Sequence, residues 1–319
     1  MRRIFILVIA MAGAFFLGRW MVTNGNPEVE FWAELSEVRD YELSEIRSNG
    51  GGVILFAGGS SCAFSVDPVI IKEETGRSAY NLGGVAGAGS RYLIDQAMRR
   101  AEAGDLLILA LEPHFLREDR REKSTQLGMA LSAHSGELSQ AAGGETFSGE
   151  VTCREYLRSM RPGARYFSTW MGKLMAGGVT YRYTMKDRRC GGRLETAIRK
   201  DHYYSEPILS SSLTAEAVMM LETTCEVAAR KGVLIAYSLP WSYTNIEYVD
   251  HNREANRLLV EEVSEIMPVL SDTDFGACPE QAYFADSEYH LTAAGSEARS
   301  RAIARGIQEL NLADMSERK

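Results

Sequence analysis

The sequence predicts an α/β fold in which a largely parallel sheet is covered by helices on both faces. Short apolar runs alternate with longer amphipathic segments over most of the chain, which is the pattern of β-α units. The 319 residues are 45% hydrophobic and 24% charged, so the chain can bury a large core, and the disordered, collagen-like and coiled-coil classes are excluded. A net charge of -8 argues against general nucleic-acid binding.

The spacing of apolar residues predicts the individual strands and helices. Buried strands are expected over residues 53–57, 78–82, 106–111 and 233–239, with a further short strand near 268–270. Helices are expected over residues 68–74, 91–103, 213–231, 251–266 and 292–310. Residues 52–112 and 211–319 therefore form the predicted α/β domain, and residues 23–51 form a polar linker and a helix ahead of it.

Residues 1–22 are predicted to anchor the chain in a membrane. Arg2 and Arg3 precede an apolar stretch that runs, interrupted by Arg19, for nineteen residues to Val22, close to the roughly 20 that a bilayer requires. The small residues 12–14 leave a cleaved export signal as the alternative. The basic flank predicts a single-pass protein of the bacterial inner membrane with everything beyond about residue 23 on the periplasmic, or extracytoplasmic, side.

Residues 113–210 lose the β-α rhythm and are predicted to be a cap inserted over the sheet. Long insertions of this kind usually leave from the loops at the C-terminal ends of parallel strands. The segment is rich in aromatic side chains, which serve either to bind sugars and acyl chains or to form the cap's own small core; the second use is favoured for most of them. These residues are Tyr156, Tyr166, Phe167, Trp170, Tyr181, Tyr183, Tyr203 and Tyr204.

Two segments carry the residues of a serine-dependent site. The first, from Phe56 to Pro68, is a strand that ends in glycines and turns into a helix with Ser60 at the turn, which exposes a hydroxyl and leaves amides free. The second places Asp286 and His290 just before the last predicted helix. A serine needs a base to remove its proton, and a carboxylate orients that base. Ser60, His290 and Asp286 can supply these three roles.

Other residues follow the ends of predicted strands, so they are expected at the same edge of the sheet. Beside the catalytic candidates, this set comprises Gly83, Gly84, Glu112, His114, Trp241 and Tyr243. Ser61 is an alternative nucleophile if the turn is shifted by one residue, and His114 beside Glu112 is an alternative metal pair or second base.

Three blocks of sequence resemble the SGNH (GDSL-like) hydrolase superfamily. They are Gly58 to Pro68, Tyr80 to Gly83, and Asp286 to Gly295, in the order and at the strand ends where that superfamily carries its site. Within it, the blocks are most similar to membrane-anchored envelope proteins related to the D-alanyl transfer and alginate O-acetylation families. The resemblance implies a three-layer α/β/α sandwich and leaves the cap unmatched.

The resemblance also implies roles for individual residues. Ser60 would be the nucleophile, His290 the general base and Asp286 its orienting partner, with backbone amides of Ser60 and of Gly83 or Gly84 as the oxyanion hole. Two departures stand out: Gly59 replaces the usual acidic residue before the nucleophile, and the asparagine of the third block is replaced by a segment that carries Glu112 and His114. Loss of one oxyanion donor typically lowers turnover roughly 100-fold to 1000-fold.

These observations lead to two functional hypotheses. The first is an anchored acyltransferase or esterase that acts on O-acyl groups, chiefly acetyl, of an envelope polysaccharide or an acylated small molecule through an acyl-serine, without metal or cofactor. As a transferase it would need a membrane-bound O-acyltransferase partner, which the resemblance alone implies. The second is an inactive relative that binds glycan or partner proteins.

The five cysteines do not form a C-x-x-C pair, so no zinc ribbon or redox motif is present. Two arrangements remain open: one disulfide between Cys153 and Cys190, or five free and mostly buried thiols.

Overall fold

A parallel four-stranded sheet forms the centre of the molecule. The computed structural model describes residues 1–48, 50–117, 125–159, 171–172, 174–175, 181–198, 205–209, 212–272 and 274–317, with side chains to residue 310. The strands are β1 Ile54–Gly58, β2 Ala79–Asn81, β3 Leu106–Ala110 and β4 Leu234–Tyr237. They lie in the order β2-β1-β3-β4, and every pairing is parallel. The predicted α/β class with a parallel sheet is confirmed.

Helices occupy most of the remaining described chain. They are α1 Arg2–Thr23, α2 Pro27–Ser48, α3 Ser60–Ser65, α4 Pro68–Thr75, α5 Ser90–Arg100, α6 His114–Arg117, α7 Gln126–His134, α8 Cys153–Ser159, α9 Ala215–Lys231, α10 Val249–Ser264 and α11 Ala293–Glu317. The strand predicted near residues 268–270 is reduced to a single bridge from Val269 to Tyr237 of β4. A second small sheet, which the sequence did not predict, pairs β5 Ser242–Tyr243 with β6 Ala277–Cys278.

Successive residues of the central strands point to opposite faces of the sheet, as the pleat requires. Leu55 and Leu107 join a cluster of buried side chains that includes residues of α2, α5 and α9. Ile54 and Leu106 join a second cluster with residues of α4 and α11. Both faces of the sheet are therefore covered, which is why the strands read as continuous apolar runs in the sequence.

Helix α1 is the one helix among the described residues that is long and apolar enough to span a membrane. Its 22 residues correspond to about 33 Å of α-helix, against a hydrocarbon core of about 30 Å. The helix has a mean hydropathy of 2.0 over its apolar window, and its apolar side chains from Ile4 to Leu17 are largely exposed. The buried residues of the helix are Gly18, Met21, Val22 and Thr23, all near its C-terminal end.

The region predicted as a cap contributes to several parts of the fold. Leu127 and Leu131 of α7 belong to the main core cluster, and Tyr181 accepts a 2.8 Å hydrogen bond from Trp32 Nε1 of α2. Tyr156 of α8 packs on Phe15 of α1. Tyr166, Phe167, Trp170, Tyr203 and Tyr204 lie outside the described residues.

All five cysteines are free thiols, so the disulfide alternative is wrong. The reason lies in where the two exposed cysteines are placed. Cys153 begins α8, which packs on α7, whereas Cys190 lies in a 3₁₀ turn that packs on Pro68 at the start of α4.

Candidate active site

The turn that presents Ser60 is shaped by two glycines after β1. A Cβ on Gly58 would lie 2.7 Å from the carbonyl carbon of Ala110, and one on Gly59 would lie 2.7 Å from Cδ of Glu112. The chain can therefore pass close to β3 only without side chains at these positions. Ser60 is the first residue of α3 and is partly exposed, whereas Ser61 is buried, which favours Ser60 as the reactive hydroxyl.

The backbone amides around this turn are used unevenly. The amides of Gly59 and Ser61 donate to the Glu112 carboxylate at 3.2 and 3.0 Å, and the amide of Cys62 donates to the carbonyl of Gly59. Among the described residues the amide of Ser60 has no hydrogen-bond partner. It is the first amide of a helix and is free to bind an anion, as an oxyanion donor must be.

Asp286 and His290 form the second part of the site. His290 Nδ1 lies 2.7 Å from Oδ1 of Asp286, whose side chain is fully buried. The turn between them is held by the amide of His290, which donates to the Ser287 hydroxyl at 3.1 Å, and by the amide of Ala285, which donates to the His290 carbonyl. Asp286 and His290, which are four residues apart in the sequence, therefore form a direct carboxylate-imidazole hydrogen bond.

Helix α3 connects the two parts. The ring of Phe64 stacks on the imidazole of His290 with their centroids 4.2 Å apart, and the Ser65 hydroxyl donates to the Tyr289 carbonyl at 3.1 Å. Ser60 and Phe64 are four residues apart and share one face of the helix, so the face that carries Ser60 is turned toward His290. The described contacts include no hydrogen bond between the Ser60 hydroxyl and His290. In apo enzymes such a bond often forms only with the substrate.

Three side chains from the predicted cap also bind Asp286. On its Oδ2 atom, Arg182 Nη2 lies at 2.5 Å, the Thr196 hydroxyl at 3.0 Å and the Tyr183 hydroxyl at 3.3 Å. Burial alone would raise the pKa of Asp286, but the hydrogen bond and electrostatic attraction from His290 and the positive charge of Arg182 bring that pKa below its ordinary value. The carboxylate is therefore kept ionised, as a partner of an imidazolium must be.

Arg182 and Thr196 were not predicted from the sequence, and Tyr183 was predicted only as one of several aromatic residues of the cap. These residues lie about a hundred positions before Asp286 in a segment without β-α periodicity. The only local signal is an arginine between two tyrosines, Tyr181 and Tyr183.

Glu112 was predicted at the edge of the site, and the structure places it behind the Ser60 turn. It is 1% exposed, and both of its oxygens accept backbone amides. Burial raises the pKa of Glu112, and the hydrogen bonds from Ser61 and Gly59 act in the opposite direction. Because both carboxylate oxygens of Glu112 accept hydrogen bonds from backbone amides, the alternative of a metal bound by Glu112 and His114 has no support. No group of three or more metal-ligating side chains occurs among the described residues.

The glycine amides expected to complete the oxyanion hole are already engaged. The amide of Gly83 donates to Oδ1 of Asn81, and the amide of Gly84 donates to the carbonyl of Gly58, both at 2.8 Å. The side-chain amide of Asn81 in turn donates to the carbonyls of Cys62 and Val66. Asn81 therefore ties the loop to α3, and in this conformation neither glycine amide is available to an oxyanion.

The remaining edge residues divide into two groups. His114 and Tyr243 line an open groove of about 530 Å³, together with Glu288 and Tyr289 from the loop that carries His290. Trp241 does not line this groove. Its Nε1 donates to Asp272 at 3.0 Å, and its ring packs beside Tyr283 and Arg299, so its described contacts are structural.

Comparison of the sequence with models of protein families and with curated proteins finds no match.

Proposed function

We propose that the protein is a membrane-anchored serine acyltransferase or esterase of the SGNH type, acting on O-acyl groups, chiefly acetyl, of a cell-envelope polysaccharide. The observation that carries the proposal is the buried Asp286–His290 pair. The His290 ring stacks on Phe64, which shares one face of α3 with Ser60. The full three-layer sandwich of that superfamily is part of this proposal, and the coverage of both sheet faces supports it.

The proposed reaction begins with attack of Ser60 Oγ on the acyl carbonyl carbon. His290 Nε2 accepts the hydroxyl proton, and Asp286 holds the other ring nitrogen and stabilises the imidazolium. The carbonyl oxygen becomes an oxyanion that accepts a hydrogen bond from the Ser60 amide. Collapse breaks the bond to the alkoxide oxygen, which leaves with the proton from His290, and an acyl-serine remains.

The second half of the reaction resolves the acyl-serine. His290 removes a proton from water in an esterase or from a sugar hydroxyl in a transferase, and the new oxygen attacks the acyl carbon. Ser60 leaves as an alkoxide and recovers its proton from His290, which restores the starting state. The two activities differ only in which hydroxyl reaches the intermediate.

The groove lined by His114 and Tyr243 supports a carbohydrate substrate. It is open, it borders the loop of His290, and its lining combines aromatic rings with polar side chains such as Asn252 and Glu288. Aromatic faces with nearby polar groups suit a sugar, which presents both apolar C–H faces and hydroxyl groups. We place the polysaccharide in this groove with its acyl group directed toward Ser60.

Helix α1 gives the proposal its location. A single-pass anchor in the bacterial inner membrane would hold the site at the extracytoplasmic surface, where envelope glycans are found. A transferase in that place needs an acyl donor from across the membrane. We therefore include a membrane-bound O-acyltransferase as a partner of the transferase form, on the strength of the family resemblance.

The test uses full-length protein in detergent micelles with an activated acetyl ester. Ser60→Ala is expected to abolish release of the alcohol and the transient acetylation of the protein detected by mass spectrometry. Ser61→Ala is the matched control, because it removes the neighbouring buried hydroxyl, and it is expected to retain activity. Unchanged turnover in a folded Ser60→Ala variant would refute the proposed enzymatic role of Ser60. Loss of turnover only in Ser61→Ala would identify Ser61 as the nucleophile.

A second candidate function is favoured by the engaged amides of Gly83 and Gly84. With the Ser60 amide as the one free donor described at the turn, the site would stabilise an oxyanion poorly. The protein would then bind glycan in the groove without turning it over. Glycan binding that is equal in wild type and Ser60→Ala, with no ester hydrolysis in either, would support this function.

A further inference from the structure

Arg39 of α2 is a buried cation that lacks an acidic partner. Its residue surface is 6% exposed, and its Nη2 atom donates to the carbonyl of Gly83. Its Nε atom is buried without a hydrogen-bond partner among the described residues. Two nearby acidic residues of the same helix are engaged elsewhere, because Asp40 pairs with Arg100 and Glu42 pairs with Arg188. No described carboxylate neutralises Arg39.

An unpaired buried charge is unfavourable, and the protonation equilibrium of Arg39 reflects this cost. Burial lowers the pKa of Arg39 to about 10, and the nearby charges of Arg100 and Arg188 act in the same direction. A bound anion would supply the missing counter-charge. The guanidinium also offers a planar set of donors that matches the two oxygens of a carboxylate.

The Arg39 side chain lines a cavity of about 40 Å³ between α2, α5, α7 and the loop that follows β2. The walls are mainly apolar and aromatic, and they include Trp32, Leu82, Leu93 and Leu131. The cavity is separate from the groove beside His114, and neither Ser60 nor His290 lines it. The lining therefore combines the cationic Arg39 with apolar walls that suit an alkyl group.

We propose that this cavity binds a short-chain monocarboxylate, with its carboxylate on Arg39 and its alkyl part against the apolar walls. Arg39 provides one uncompensated positive charge, since Arg100, the other cation of the lining, is paired with Asp40. A monoanion balances that charge, whereas the dianionic form of phosphate would carry excess negative charge into an apolar space. Ser60, Asp286 and His290 do not line the cavity, whereas Gly84 does, and Arg39 donates to the carbonyl of Gly83.

The experiment is calorimetric titration of full-length protein in detergent micelles with propionate and, separately, with inorganic phosphate. Propionate is expected to bind the wild type, and Arg39→Met is expected to weaken that binding at least tenfold. Ala88→Val fills part of the cavity without altering Arg39, and it is also expected to weaken propionate binding. If Arg39→Met does not fold, Ala88→Val alone tests the site. Ser60→Ala is expected to bind propionate as the wild type does, which separates this site from the acyl-serine site.

Several outcomes would overturn the proposal. Equal propionate affinity in the wild type and both cavity variants would place the ligand elsewhere. Phosphate binding as tight as propionate binding would show a general anion site in place of one selective for carboxylates. Loss of propionate binding in Ser60→Ala would assign the ligand to the catalytic centre.

Discussion

The contact between Gly59 and Glu112 gives a sharp test of how the Ser60 turn is built. The superfamily that the sequence resembles has an acidic residue just before the nucleophile, and here that position is Gly59. The Glu112 carboxylate enters from the end of β3 and occupies the adjacent space, with Cδ 2.7 Å from where a Cβ on Gly59 would stand. Gly59→Ala is therefore expected to force the carboxylate out of its two amide hydrogen bonds.

The magnitude follows from sterics and lost hydrogen bonds. Gly59 has φ -81° and ψ -151°, an extended conformation open to any residue, so backbone strain contributes little. Overpacking costs about 1–3 kcal/mol, and each buried amide left unsatisfied costs about 1–3 kcal/mol. We expect Gly59→Ala to lower the free energy of unfolding by about 3 kcal/mol. Gly76→Ala is the matched control, because Gly76 has a positive φ of 71° and open space around it, so its cost is conformational only.

A double-mutant cycle isolates the contact. Glu112→Ala removes the obstacle, so adding Gly59→Ala to that background is expected to cost less than about 1 kcal/mol, a coupling of about 2 kcal/mol. The free energies come from urea unfolding of full-length protein in micelles, monitored by circular dichroism. The dependence of the free energy on urea concentration is compared among the variants to check two-state behaviour. Additive effects of the two substitutions, within about 0.5 kcal/mol, would refute the described contact.

Three further predictions concern the charges and thiols of the site. Asp286→Asn is expected to reduce turnover of an activated ester by about 10⁴-fold with the fold intact, because the neutral amide no longer fixes the imidazole tautomer or stabilises the imidazolium; retained turnover would remove Asp286 from the site. The lowered pKa of Asp286 contributes stability that is present above the ordinary Asp pKa of about 3.9 and is lost as pH falls through the lowered value. Arg182→Gln is therefore expected to lose less stability on acidification than the wild type does. The measurement is the urea midpoint of both proteins at pH 7 and pH 3.5. The same pH dependence in both proteins would contradict this prediction. Cys62, whose pKa is raised by burial, is expected to resist alkylation by iodoacetamide while the exposed Cys153 and Cys190 react, and mass spectrometry that finds Cys62 modified at a similar rate would contradict its described burial.

The sequence predicted those parts of the molecule that depend on local pattern. The apolar runs after residue 53 became strands because a sheet covered on both faces needs continuous apolar residues. Asp286 and His290 were recognisable as a pair because they are four residues apart. Ser60 was recognisable because glycines at a strand end precede it.

Contacts made by distant side chains could not be predicted. Arg182 and Thr196 reach Asp286 from a segment whose apolar spacing shows no period, so its path over the site depends on tertiary packing. The amides of Gly83 and Gly84 are engaged because the Asn81 side chain turns back toward α3, and no backbone pattern encodes that orientation. The same holds for Glu112, whose position behind the turn depends on Gly59 lacking a side chain.

The protonation of Glu112 connects the two candidate functions. Its carboxylate accepts the amides of Gly59 and Ser61, on either side of the Ser60 amide that would bind an oxyanion. A negative charge on Glu112 would oppose an oxyanion held by the Ser60 amide, and a neutral carboxyl would not. Burial raises the pKa of Glu112, which under the proposed function favours the neutral carboxyl and therefore the oxyanion.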